Sequence, residues 1–186
     1  VPMTPTRWDD HVADTRTTTN PILTRADDAD PARLRVHHIA VQTGDLDGSI
    51  SWYEEFFGAE VAWTLDRFSD LSMERLPGLS GLAELTAGEL RFHLFTRGSE
   101  HGAPPPADTN QFQHVCVEVA SSEELRSWHA RWHSIRNSGK YTFTRNIPAT
   151  DIVVDSDGVE SFYAYDTNGV EFEFTHLPNG RPGTEN

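Results

Sequence analysis

Four residues of types that bind metals or move protons each sit in a strand-like segment of this chain: His38 in "RVHHIAVQ", His93 in "GELRFHLFT", His114 in "FQHVCVEV" and Glu173 in "VEFEFTH". In every segment apolar residues alternate with the chemically active one, the period of a half-buried strand. Ile39 and Val41 oppose His38; Leu90, Phe92 and Leu94 oppose His93; Val115, Val117 and Val119 oppose His114; Phe172 and Phe174 oppose Glu173. Each strand thus has one face to be covered and another that carries chemistry. Two neutral imidazoles and one carboxylate suit a divalent first-row metal with open positions, as in the facial triad on iron(II). Four such ligands suit a more closed site, with zinc or nickel among the candidates. A strand histidine on that face can instead accept and return a proton near neutral pH.

The elements that must position these residues repeat. The strand "RVHHIAVQ" precedes a helix, "DLDGSISWYEEFFG", with Asp45 or Asp47 as cap, Gly58 as stop and an apolar stripe of Ile50, Tyr53, Phe56 and Phe57. Next come the strand "AEVAWTL", a Gly/Pro-interrupted stretch from Arg67 to Gly81, and a hairpin of "LAELT" and "ELRFHLFT" about Ala87-Gly88. After the linker the order recurs: strand "FQHVCVEV", helix "SSEELRSWHARWHSIRNSG", then "YTFTRN", "DIVVD", "VESFYAYD" and "VEFEFTH". Asp157-Gly158 and Asn168-Gly169 mark hairpin turns. The expected fold is α+β: two paired βαβββ modules, 34–97 and 111–176, joined by the linker 98–110 into a single domain over 34–178. Residues 1–33 read as an arm without sustained periodicity, and 179–186 as a loose tail. His38 and His114 hold equivalent places in the repeat, as do His93 and Glu173. Pseudo-twofold packing of the modules around a shared cleft would bring all four together.

Bulk composition narrows the partners. The chain has 186 residues, 37% hydrophobic and 24% charged, ordinary for a globular protein. A net charge of −14 argues against nucleic acid and against an anionic membrane surface. No apolar run approaches the roughly 20 residues that span a bilayer, and the N-terminal stretch lacks an apolar signal core. Cys116, the only cysteine, has no partner for an intrachain disulfide, so a reducing cytoplasm is the expected location.

The paired modules, with "HHIAV" opening the first, "QHVCVEV" opening the second and "DTNGVEFEF" closing it, resemble the vicinal oxygen chelate superfamily over residues 34 to about 176. Within them "SFYAYDTNGVEFE" resembles the closing signature of the type I extradiol dioxygenases, and "RFHLF", "QFQH" and the closing run resemble the compact L-DOPA 2,3-dioxygenases of actinobacterial antibiotic pathways. The resemblance implies an iron(II) cofactor held by His38, His114 and Glu173, with His93 as the acid–base and Tyr163 contacting substrate or oxygen. It implies a catechol, L-DOPA by this likeness, and O2 as substrates. A homodimer is among the assemblies it allows. Arg91, two residues before His93, is a candidate anchor for an acidic substituent. The chain departs from the signature in two places: "VVDSDGVES" lacks the histidine expected before Phe162-Tyr163, and Thr167 stands where a proline is usual. The rival readings are a glyoxalase-like isomerase or lyase, with His93 as fourth ligand, and a metal-free drug-binding resistance protein.

Other candidates have plainer readings. His129 and His133 have helical i,i+4 spacing but no evident third ligand, and the buried stripe of Leu125, Trp128 and Trp132 leaves them at its flank. Strand alternation turns His37 away from His38, as a structural residue. Cys116 lines the cleft. His11 and His101 fall in the arm and linker.

Overall fold

In the computed structural model, residues 35–98 and 109–178 are described; the arm, most of the linker and the tail lie outside them. From His37 onward the described residues form one compact unit. The first module runs β1 (Ile39–Thr43), α1 (Leu46–Phe57), β2 (Glu60–Leu65), α2 (Asp70–Arg75), β3 (Leu79–Ala87) and β4 (Leu90–Arg97). The second runs β5 (His114–Glu118), α3 (Ser122–Asn137), β6 (Val153–Val154), β7 (Glu160–Tyr165) and β8 (Glu171–His176). Their sheets have the same order, β1-β4-β3-β2 and β5-β8-β7-β6, with β1 parallel to β4, β5 parallel to β8 and the other pairs antiparallel. The repeat expected from the sequence is thus a repeat of topology.

Local chemistry explains the helices. The Asp45 carboxylate accepts from the Gly48 N–H at 2.9 Å and caps α1, while Gly58, at φ 64°, ends it in the left-handed conformation a glycine tolerates. On α3 the Ser121 hydroxyl accepts from the Glu124 N–H, and the Glu124 carboxylate reaches back to the Ala120 N–H, a reciprocal cap. Among the described residues no helix is long and apolar enough to cross a membrane.

Three segments differ from expectation. The Gly/Pro-interrupted stretch contains α2, capped by Ser69, and β3 begins at Leu79 rather than after Gly81. The strand expected at "DIVVD" is only the exposed pair Val153–Val154. "YTFTRN" pairs with no strand. Its alternating rings serve another purpose: the Tyr141 hydroxyl donates to the Ser51 carbonyl, and Phe143 packs edge-on against Trp52 and Trp132.

Both modules bury their helix-covered faces in one core. Trp52, Phe56, Phe92, Leu94, Trp132, Phe162, Phe172 and Phe174 are all essentially inaccessible to solvent and belong to a single cluster. Phe57 of α1 lies 5.2 Å, centroid to centroid, from both Phe92 and Phe172, so one ring bridges the two sheets. A polar clasp crosses the same boundary. The Tyr53 hydroxyl donates to Asp166 Oδ2 at 2.8 Å, both groups fully buried. Asp166 also accepts from the N–H groups of Asn168 and Val170, shaping the turn in which Gly169 takes φ 86°. Burial raises the Asp166 carboxyl above its usual range, against the hydrogen bonds that pull it down. Tyr53→Phe removes one donor from a buried acceptor, and we expect a loss of about 2 kcal/mol in urea denaturation.

Candidate metal and proton-transfer site

Because the covered faces meet in the core, the faces that carry chemistry look away from it, one on each sheet. On the first sheet, cross-strand register lines up Ala40, His93, Glu84 and Trp63 in one row over β1, β4, β3 and β2. On the second it lines up Cys116, Glu173 and Tyr163 over β5, β8 and β7. His38 precedes Ala40 by two residues, and His114 precedes Cys116 by two. Register therefore makes His93 equivalent to Glu173 and Glu84 to Tyr163, while His38, just ahead of β1, holds by residue count the place that His114 holds in β5.

The first row is densely bonded. His93 Nε2 donates to Glu84 Oε2 at 2.7 Å, and the Glu84 side chain is only 6% exposed. The His93 hydrogen bond holds the Glu84 carboxyl below its usual range, with Arg91 adding to the effect. The Trp63 ring meets His93 edge-on at 5.3 Å, and Arg91 Nη1 lies 3.6 Å from Glu84 Oε1. His38 stacks on His93 with centroids 3.7 Å apart. Desolvation, then the neighbouring His93 and His37, lower the His38 pKa and favour the neutral imidazole that a metal needs.

On the second sheet His114 Nε2 and Glu173 Oε2 are 3.1 Å apart. Donors about 2.0–2.2 Å from a first-row ion, in adjacent coordination positions, are about 3 Å apart. This pair already has that spacing, so these two donors suit adjacent positions on such a metal. Tyr163 meets His114 edge-on, and burial followed by its hydrogen bond to Glu173 pushes its phenol up to about 12. It stays protonated at neutral pH and can donate. Its main chain is braced by Thr150, whose hydroxyl accepts from the Tyr163 N–H and whose N–H donates to the Tyr163 carbonyl. Burial and Glu173 raise the Cys116 thiol to about 11, so it is not a thiolate at neutral pH. Slow alkylation of Cys116 at pH 8, compared with a small-molecule thiol, is the expected check.

One chain thus gathers the four sequence-chosen residues in two pairs, His38 with His93 and His114 with Glu173. Among the described residues, His38, His114 and Glu173 are not a group with ligand atoms mutually within 4.8 Å; the group that meets this spacing is His37, His38 and His93. The shared cleft is not closed within a chain because the aromatic faces are what the modules bury against each other. His37 also departs from expectation. β1 begins at Ile39, so pleat alternation does not yet apply, and His37 Nδ1 lies 2.9 Å from His38 Nδ1. Glu84 and Trp63 escaped sequence reading. The signal for Glu84 was a carboxylate between Ala83 and Leu85, both completely buried. His129 and His133 approach to 3.3 Å, with His129 also bonded to the Thr150 carbonyl, and among the described residues no third ligand joins them.

Two βαβββ modules with the same sheet order, each with a row of ligand-type side chains on its open face, define a paired-module α+β scaffold. The family described as Glyoxalase/Bleomycin resistance protein/Dioxygenase superfamily matches residues 35–174, and this chain belongs to it. No curated protein matches. Among solved structures, a glyoxylase/bleomycin resistance protein/dioxygenase domain from Frankia sp. EAN1pec aligns with TM-score 0.61 and 17% identity over 80% of this chain and 95% of that one. A glyoxalase/bleomycin resistance protein/dioxygenase from Nocardioides aligns at 0.52 and 18%, over 89% and 98%. The fosfomycin resistance protein FosX from Listeria monocytogenes aligns at 0.53 and 15%, over 78% and 95%. At these identities the likeness is one of fold.

Proposed function

We propose that this protein is an iron(II) extradiol dioxygenase that opens a catechol ring, with L-DOPA the expected substrate, and that it works as a cytoplasmic homodimer. The observation that carries the reading is the pair of equivalent rows: imidazole and carboxylate at ligand spacing on one sheet, and an imidazole with a carboxylate-held histidine on the other. His38, His114 and Glu173 are the three ligands. Because the two rows lie on separate open faces, a second copy supplies the missing half: His38 and His93 of one protomer face His114 and Glu173 of its partner.

The iron, when bound, supplies the redox chemistry that lets ring and O2 react, leaving both oxygen atoms in a ring-opened semialdehyde acid. The chain's own residues do the rest. His93 takes a catechol hydroxyl proton and later returns it, while the ionised Glu84 beside it stabilises the imidazolium formed between. Tyr163, protonated, donates to substrate or reacting oxygen. Arg91, with a side chain 42% exposed at the edge of the row, anchors an acidic substituent. The test is anaerobic loading with Fe(II), then L-DOPA and air. Yellow product with stoichiometric O2 uptake, abolished by a chelator and restored by Fe(II), supports the reading. Absence of O2 uptake with every simple catechol would sink it.

One observation favours a second reading. His93 holds the position of Glu173 in the repeat, so a glyoxalase-like isomerase or lyase would use it as a fourth ligand. That enzyme turns over without oxygen.

A further inference from the structure

We infer that His37, His38 and His93 form a transition-metal site contained within one chain, with His37 as a ligand that no strand pattern reveals. The site goes beyond the dioxygenase reading, because it needs neither His114 nor Glu173. Each of the three residues offers a nitrogen, and the three nitrogens lie within 4.8 Å of one another. The His37 and His38 Nδ1 atoms, 2.9 Å apart, already have the separation of adjacent positions around an ion held at about 2.0–2.1 Å. His93 is fixed by its Nε2 hydrogen bond to the carboxylate of Glu84, the kind of partner that orients a ligating imidazole and raises its basicity. Trp63 walls one side of the His93 ring.

Two features oppose a cation as the rings stand: His38 and His93 stack nearly parallel, so their in-plane lone pairs converge only after the exposed His38 ring turns, and Arg91 Nη1 is 3.3 Å from His37 Nε2. The same nitrogen is 3.6 Å from Glu84 Oε1, so a small swing closes an ion pair with Glu84 and frees the His37 ring to turn onto the metal. The chain's net charge of −14 favours cation uptake overall. Imidazole-only donors suit Zn(II), Co(II), Ni(II) or Cu(II) rather than magnesium or calcium. His38 belongs to both ligand sets, so the two occupancies exclude each other. The three-histidine set is what a protomer offers by itself, before a partner's open face covers it.

The test is titration of the full chain with Co(II), read by its visible absorption, and with Zn(II), read by calorimetry. The wild type, His37→Ala and the double variant His114→Ala/Glu173→Gln are compared. His37 is exposed, so its replacement spares the core. We expect His37→Ala to weaken binding at least about 10- to 100-fold, the scale on which even the hydrogen-bond partners of ligands act. The double variant keeps all three histidines and should still bind one ion per chain, with His37→Ala added to it weakening that remaining binding. If His37→Ala binds normally, or if the double variant loses the metal, the inference is overturned. Catechol-dependent O2 uptake is scored separately, so failure of the dioxygenase reading leaves this result standing.

Discussion

Co-expressing two inactive variants, His38→Ala and Glu173→Gln, is expected to restore about a quarter of wild-type O2 uptake. Each variant alone lacks a ligand at every site and should be inactive. In a twofold dimer with sites built from both chains, mixed dimers carry one site with both ligands missing and one site intact. Random pairing makes half the dimers mixed, and each has one working site of two, which gives the fraction. The expectation follows from where the covered faces go. Phe92 and Phe172 are buried in the same core, and the next residue along each strand, His93 or Glu173, is turned the opposite way by the pleat. Bringing the two open faces together inside one chain would mean separating α1 from α3 and exposing Trp52, Phe56 and Trp132. Burying a side chain of that class contributes about 1.5–3 kcal/mol, so such a rearrangement has no compensating source. A second copy requires none of it. If the mixture stays at the level of the separate variants while wild type is active, the site is closed within one chain and the dimer reading fails.

How much of this could be read beforehand follows physical lines. Strand faces were legible because the pleat has a strict period of two, and the equivalence of His93 with Glu173 holds in the register itself, whereas His38 lies just ahead of the first paired residue. The Asp45 and Gly58 ends of α1 were legible because capping is local chemistry. Alternation misleads where no neighbouring strand enforces it. In "YTFTRN" the rings alternate because Tyr141 and Phe143 pack on the helices, and His37 escapes the rule because it precedes the first paired residue. The partner that holds His37 is Arg91 on β4, which no local pattern connects to it. Nor does periodicity say which covered face meets which. It marks Phe57 as buried, and only the packed molecule puts Phe57 against both Phe92 and Phe172.

His93→Gln should lower kcat by about 10²- to 10⁴-fold, the usual worth of a general acid–base, while iron content per chain stays at the wild-type level. Glutamine keeps much of the length of histidine and an N–H that can donate to Glu84, so the row over β1, β4 and β3 should persist. What it loses is the lone pair that receives a catechol proton. An effect confined to kcat, with KM nearly unchanged, is the mark of a group that acts in the transition state. Loss of iron together with activity would instead make His93 a fourth ligand and transfer the protein to the isomerase or lyase reading. Glu84 separates the two further. As a positioning residue it acts through His93, so Glu84→Gln should lower kcat less than His93→Gln does, and should shift the acid limb of the pH–rate profile. Its ionisation also links to stability with a definite sign. The folded carboxyl lies below its ordinary 4.5, so the stabilisation is present above that pH and fades as pH falls through the lower folded value. Glu84→Gln should therefore flatten the acid side of the denaturation profile below about pH 4.5. A merely structural glutamate would not move the rate profile as well.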